Sequence, residues 1–183
     1  MAKPRLLIAF CSNPAHSIGV PMVFDADALN VLADQGDLLQ AGRAGGPRVL
    51  TPHPGEFRRL AEPLGITLDP TDPKQRLDAA AALAKALSAV VLLKGRHTVI
   101  SDGERYATNT TGNPALATAG SGDVLTGLVA ALLAQGMDAF DAAHLAAHVH
   151  GRAADQWAAK HGRAGLRAMD LADGIPDALH ALR

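Results

Sequence analysis

A turn of small residues at positions 117–123 runs directly into an apolar helical segment that begins with Val124. The first N–H groups of such a helix have no partner within it, and the helix dipole adds partial positive charge there. A phosphate or a developing oxyanion can therefore bind at this turn. Asp123 is the odd member, because a carboxylate repels phosphate unless it has a separate task, such as taking a proton from an attacking hydroxyl. The turn thus indicates phosphoryl transfer, with a simple helix cap at Asp123 as the alternative.

Composition narrows the class of protein. A chain of 183 residues with 48% hydrophobic content suits a single domain, which we place at residues 1–183. The net charge of −1 and the aromatic content of 3% give no basis for nucleic-acid binding. We therefore expect a small molecule or a second copy of the chain as the partner.

The single cysteine and the length of the apolar runs predict the location. Cys11 has no second cysteine with which to form an internal disulfide, which fits the reducing cytoplasm and a buried thiol. The apolar run at residues 6–10 is too short for a secretory signal and is predicted to be a first strand. Charged or polar residues interrupt every apolar helical segment, so we expect no membrane partner.

Strands and helices alternate along the chain. Alternation of this kind predicts a layered α/β fold with a mostly parallel sheet. An Asp-Gly turn at positions 102 and 103 predicts a β-hairpin between two of the strands. The predicted strands are 22–24, 48–51, 89–93, 98–101 and 105–108, and the predicted helices are 26–35, 56–61, 73–87, the segment ending at 135, 138–161 and 169–182.

Polar residues follow the predicted strands at the positions where the strands end. Ligands of open parallel sheets bind at that edge, so these residues are expected to converge there. Asp25 and Asp27 could instead cap a helix, and His53 could be a rigid loop residue bonded to the backbone. Lys94 is harder to explain structurally, because a buried lysine is costly unless an anion meets it.

Two further groups have a simpler interpretation. His144 and His148 lie four residues apart on a predicted helix and could bind a metal, but no third ligand is evident, which favours a packed or solvated helix face. The segment 110–114 is interpreted as a loop, although its threonine hydroxyls could approach a phosphate.

Four segments together resemble a known family. VFDADALN, LTPHPGEFRRL, VVLLKGRHTVISDG and GNPALATAGSGDVLTGLVAALLAQG resemble, in this order, the carboxyl-terminal part of the ADP/ATP-dependent NAD(P)H-hydrate dehydratases of the ribokinase-like superfamily. The resemblance spans residues 21–182, and GLRAMDL at 165–171 is similar to the closing motif of the family. Residues 1–20 do not resemble the longer amino-terminal half of the family, which includes a Gly-rich segment.

The resemblance implies a fold and an activity. The expected fold is a ribokinase-like α/β/α arrangement, shortened at the amino terminus. The expected activity is ADP- or ATP-dependent dehydration of the S epimer of hydrated NADH or NADPH, with Mg²⁺ bound mainly through the nucleotide phosphates. Where strands are missing, an exposed sheet edge favours a homo-oligomer. A small-alcohol kinase and a catalytically inactive nucleotide-binding subunit are the alternatives.

Residue roles follow from the same resemblance. Asp123 would be the catalytic base and would face the hydrated nicotinamide. The other residues implied in substrate binding are His53, Asp25 and Asn30, with Asp27 and Glu56 in support. The residues implied in nucleotide binding are Lys94, Gly95, Arg96, His97, Thr98, Gly120, Ser121 and Gly122.

Overall fold

The computed structural model describes residues 19–34 and 46–182. The strand predicted at residues 6–10 and Cys11 lie outside the described residues. The strands are β1 (Met22–Phe24), β2 (Arg48–Leu50), β3 (Val90–Leu93), β4 (Val99–Ser101) and β5 (Tyr106–Thr108). The helices are α1 (Asp27–Asp34), α2 (Pro54–Ala61), α3 (Arg76–Leu87), α4 (Ser121–Ala134), α5 (Ala139–His161) and α6 (Ala168–His180), with short 3₁₀ turns at Glu62–Leu64 and Pro114–Leu116.

The five strands form one sheet in the order β1-β2-β3-β4-β5. The pairs β1–β2 and β2–β3 are parallel, whereas β3–β4 and β4–β5 are antiparallel. The antiparallel part is the predicted hairpin, whose turn is fixed by Oδ1 of Asp102 accepting from the N–H groups of Glu104 and Arg105. Gly103 has a φ of +97° in this turn, a conformation that glycine adopts without steric cost. The sheet is therefore mixed, with its parallel part on the side of β1.

Helices cover both faces of the sheet. Side chains of β3 alternate, so that Val91 and Leu93 pack with α1, α2 and α3, while Val90 and Leu92 pack with α4 and α5. Helix α6 lies outside α5 and buries Leu171 against it. This is the predicted α/β/α layering, and it explains why β3 is buried along its whole length.

The parallel strands place their carboxyl ends at one edge. Asp25 follows β1, Thr51 follows β2 and Lys94 follows β3, while α2 and α4 begin near this edge. Within residues 19–34 and 46–182, no helix combines the length and the hydrophobicity needed to span a membrane.

Candidate active site

An ion pair joins the ends of β1 and β3. Nζ of Lys94 lies 2.6 Å from Oδ1 of Asp25, and the hydroxyl of Thr126 on α4 donates to Oδ2 of the same carboxylate at 2.8 Å. The side chains of Lys94 and Asp25 are 22% and 10% exposed, so the pair is largely shielded from water. The anion expected beside Lys94 is thus the carboxylate of Asp25, which belongs to the protein itself. The carboxylate of Asp25 is occupied in this way and does not cap α1.

The surroundings of Asp25 keep it ionised. Burial by itself raises the pKa of a carboxyl group, but the hydrogen bond and charge of Lys94 act in the opposite direction, as do hydrogen bonds from Thr126 and Thr51. The pKa of Asp25 consequently lies below its ordinary value. The carboxyl group of Asp25 is therefore ionised at neutral pH where it faces Nζ of Lys94.

Glu56 links this pair to the start of α2. Its Oε2 lies 3.8 Å from Nζ of Lys94 and accepts from the backbone N–H of His53 at 2.8 Å. Nδ1 of His53 in turn accepts from the N–H groups of Gly55 and Glu56, which completes a capping box. This is the backbone-bonded role considered for His53 from the sequence. Since Nδ1 is an acceptor, the neutral ring carries its proton on Nε2, and the side chain is 55% exposed.

The beginning of α4 reaches the same cluster. A Cβ atom built on Gly122 would lie 3.7 Å from Oδ2 of Asp25 and 3.8 Å from Nζ of Lys94. The glycine turn thus lies beside the sheet edge, as expected from the polar residues that follow the predicted strands. A phosphate at this turn would have the ammonium group of Lys94 beside it.

The turn itself is arranged as an anion site. Gly120 precedes α4 with a φ of +83°, and α4 lacks a side-chain cap. Among the described residues, hydrogen bonds to backbone carbonyls are found for the N–H groups of Ser121 and Val124, while those of Gly122 and Asp123 have no protein acceptor. The side chain of Asp123 is exposed. The side chain of Asp123 therefore lies at the surface of the turn and not in the core.

The segment after β3 holds the remaining predicted nucleotide residues. Gly95, Arg96 and His97 are exposed, and Thr98 donates its hydroxyl to the carbonyl of Gly95 at 3.0 Å. His97 has a φ of +55°, so the chain makes a tight turn here. This segment is contiguous with Lys94 and presents polar groups at the edge of the site.

Arg76 donates hydrogen bonds to the backbone at the start of this segment. The sequence did not predict this role. The buried guanidinium of Arg76 donates to the carbonyls of Leu93 and Lys94, each at 2.8 Å, and to that of Pro70. A Cβ atom on Gly95 would lie 2.7 Å from Nη2 of Arg76. The close approach explains why glycine follows Lys94, although nothing in the local sequence pattern connects Arg76 with it.

Two predicted site residues, Asn30 and Asp27, lie apart from the ion pair in their contacts. Asn30 accepts a hydrogen bond from Nη1 of Arg59 at 2.6 Å, and Asp27 is exposed in the first turn of α1. The Thr111 hydroxyl lies 2.9 Å from the carbonyl of His148, which supports the loop interpretation of residues 110–114. Among the described residues, no cluster of three or more His, Cys, Asp or Glu side chains is suited to a metal ion.

Comparison with known proteins identifies the family. The family model described as NAD(P)H-hydrate dehydratase matches residues 10–177. The chain belongs to the NAD(P)H-hydrate dehydratase family. The resemblance drawn from the four motifs is thereby confirmed.

Two curated relatives of this family illustrate the degree of similarity. The bifunctional NAD(P)H-hydrate repair enzyme of Moorella thermoacetica is 48% identical over 167 residues, which are 90% of this chain and 30% of the relative. The ADP-dependent (S)-NAD(P)H-hydrate dehydratase of Neisseria meningitidis is 43% identical over 155 residues, which are 83% of this chain and 51% of the relative. The chain thus spans between about a third and a half of the length of these relatives.

A solved structure of the family shares the fold. The ADP/ATP-dependent NAD(P)H-hydrate dehydratase of Bacillus subtilis, crystallised with ATP and Mg²⁺, matches with a TM-score of 0.74 and 34% identity. The match covers 90% of this chain and 56% of that one. Other ribokinase-like proteins resemble the chain as well, so the predicted ribokinase-like fold is confirmed.

Proposed function

We propose that this chain catalyses the ADP- or ATP-dependent dehydration of the S epimer of hydrated NADH or NADPH. The observation that carries the proposal is the exposed carboxylate of Asp123 beside a glycine turn whose amides at Gly122 and Asp123 have no acceptor among the described residues. The relatives from Neisseria meningitidis and Bacillus subtilis, whose names specify this reaction, support it. The chain covers only part of their lengths, so the activity of this chain has to be tested directly.

Asp123 acts first, as the general base. Its carboxylate takes the proton from the hydroxyl group on the hydrated nicotinamide ring, and the oxygen attacks the terminal phosphorus of the nucleotide. The bond from that phosphorus to the bridging oxygen breaks. The leaving group is ADP when ATP is the co-substrate and AMP when ADP is the co-substrate. The amides of the glycine turn and the ammonium group of Lys94 stabilise the charge on the transferred group.

The phosphorylated ring then loses phosphate. The neighbouring ring nitrogen donates its electron pair as the carbon–oxygen bond breaks, and loss of a proton from the adjacent carbon restores the double bond. Phosphate leaves far more readily than hydroxide, which is why the nucleotide is consumed. The second step therefore needs little from the protein beyond a bound, oriented ring. His53, Asp25 and Asn30 are proposed to hold that ring, and residues 94–98 to hold the nucleotide.

Mg²⁺ fits this site through the nucleotide and not through a protein cage. Asp25 and Glu56 are the acidic groups nearest Lys94, and both already lie against its ammonium group. Phosphate oxygens and water would therefore supply the ligands, as is common for Mg²⁺. When bound, the ion neutralises charge on the phosphates.

The test uses chemically hydrated NADH with ADP or ATP and Mg²⁺, followed by the absorbance of the reduced nicotinamide. Nucleotide-dependent recovery that falls by about 10²-fold or more in Asp123→Asn supports the proposal. Asp177→Asn, an exposed carboxylate on α6, is the matched control and should retain activity. Nucleotide binding without recovery would favour an inactive subunit, and phosphorylation of an unrelated alcohol would favour a kinase; either result would refute the dehydratase proposal.

Location, assembly and domain organisation belong to the same proposal. A single cysteine supports a reducing cytoplasm. Within the described sheet, β1 and β5 are each paired on one side, which supports association of copies through a strand edge. Cell fractionation would test the cytoplasmic location, and sedimentation equilibrium would test the homo-oligomer. Limited proteolysis would test the single domain over residues 1–183.

A further inference from the structure

The loop between β5 and α4 is fastened to α5 near its beginning. The carboxylate of Asp155 accepts from the backbone N–H of Gly112 and from Nδ2 of Asn113, both at 2.9 Å. Gly151 lies so close to this loop that a Cβ atom there would overlap Thr111. The loop therefore packs directly against the backbone of α5.

The end of the same loop is fastened to α5 by a buried histidine. Nε2 of His150 lies 2.9 Å from the carbonyl oxygen of Ser121, the first residue of α4, and His150 is 8% exposed. A carbonyl oxygen only accepts, so Nε2 carries the hydrogen and donates it. Burial lowers the pKa of His150, an effect that the bond to Ser121 only partly opposes, and the ring is neutral at pH 7. A neutral, buried ring with this donor already used is not a phosphate ligand.

The rest of the contact between α4 and α5 is apolar. Leu125 and Val129 of α4 pack in one cluster with Ala143 and Ala147 of α5. Apolar contact resists separation but is non-directional, whereas a hydrogen bond fixes an angle and a distance. The bond from His150 is therefore suited to set the rotation and position of the first turn of α4. Asp123 and the free amides lie within that turn.

We infer that His150 is a positioning residue, which holds the first turn of α4 so that Asp123 and the amide of Gly122 face the transferred phosphate. The inference rests on the proposed function for its kinetic consequence. Whether His150 holds the first turn of α4 does not depend on the reaction that the protein catalyses.

The test compares His150→Leu with His150→Gln. Leucine fills the space without a donor, whereas the side-chain amide of glutamine can reach the same carbonyl. We expect kcat to fall by about 100-fold in His150→Leu with KM for the nucleotide changed by less than about threefold, since small displacements of reacting groups carry costs of this size. Glutamine should restore most of kcat. His144→Leu, an exposed histidine of the same helix, is the control and should match the unchanged protein.

A second measurement separates this inference from the proposed function. Hydrogen exchange of the Ser121 and Val124 amides, which donate to the carbonyl groups of Thr118 and Gly120, should be faster in His150→Leu than in His150→Gln, whether or not the protein repairs hydrated NADH. Unchanged exchange in His150→Leu, or equal loss of kcat in both variants, would overturn the positioning role. If the unchanged protein lacks repair activity but the exchange pattern is found, the proposed function fails while the role of His150 in holding the turn stands.

Discussion

Lys94 and Asp25, 69 residues apart in the chain, meet with Nζ 2.6 Å from Oδ1. Thr126 holds the other oxygen of the carboxylate, so Asp25 is fixed from two sides and fixes the lysine in turn. An ammonium group has three N–H donors, and this contact engages one of them. The lysine is therefore held in place beside Gly122 while it can still donate to a phosphate.

Replacing Asp25 with asparagine tests that arrangement. The side-chain amide would keep an acceptor for Thr126 but remove the charge opposite Lys94. We expect the free energy of unfolding at pH 7 to fall by about 1 to 3 kcal/mol, because a shielded charge loses its partner. Urea denaturation measures the change, and Asp27→Asn, an exposed carboxylate of α1, should change it by less than about 1 kcal/mol. Equal effects of the two substitutions would argue against a stabilising pair.

Alanine at Gly120 should disturb the turn, whereas alanine at Gly136 should not. The two glycines have φ values of +83° and +85°, so alanine carries a similar backbone cost of about 1 to 2 kcal/mol at either position. A Cβ atom on Gly120 would also lie 2.9 Å from Cβ of Ala168, while one on Gly136 would meet nothing within 4 Å. We expect weaker nucleotide binding by calorimetry in Gly120→Ala alone. Similar affinities in both variants would contradict the placement of the nucleotide.

Arg76→Met should weaken both the fold and the segment after β3. The substitution removes donors to the carbonyls of Leu93 and Lys94 and leaves these oxygens with one partner fewer. We expect a loss of about 2 to 4 kcal/mol in the free energy of unfolding and a lower affinity for the nucleotide. Arg58→Met is the control, because Arg58 forms an exposed ion pair with Asp69 that contributes at most about 1 kcal/mol. Stability equal to that of the control would show that the buried guanidinium is dispensable.

His150 should make stability depend on pH below the ordinary histidine value of 6.5. Its pKa is lower in the folded chain, so the unfolded chain binds more protons just below pH 6.5, and stability falls as the pH decreases. The free energy of unfolding should therefore be lower at about pH 5.5 than at about pH 7.5, and His150→Gln should lack this difference. Chemical denaturation at both pH values gives the difference, with His144→Gln as the control. A steeper pH dependence in His150→Gln would reverse the expected sign.

Much of the fold could be predicted because its signals are local. The buried run of β3 and the Asp-Gly hairpin each depend on a few neighbouring residues, and both are confirmed. The helix predicted at residues 73–87 begins only at Arg76, because residues before it form turns. Helix ends depend on hydrogen bonds that periodicity does not encode.

The candidate site was predicted less completely because its contacts cross the chain. Strand ends brought Asp25 and Lys94 to one edge as expected, but the pairing of the two side chains could not be deduced from their positions. Thr126 and His150 lie inside helices and look like ordinary helix residues in the sequence. Their roles arise from the packing of α4 against the sheet and against α5. The functional roles assigned by resemblance stay predictions until the assays above are made.

The double use of Glu56 limits how this protein can be engineered. One carboxylate oxygen closes the start of α2 and also lies 3.8 Å from the ammonium group of Lys94. A substitution there would loosen a helix end and alter the electrostatics of the candidate site in one step. Effects on heat resistance and on turnover could therefore not be separated at position 56, and a library that randomises it would confound the two traits.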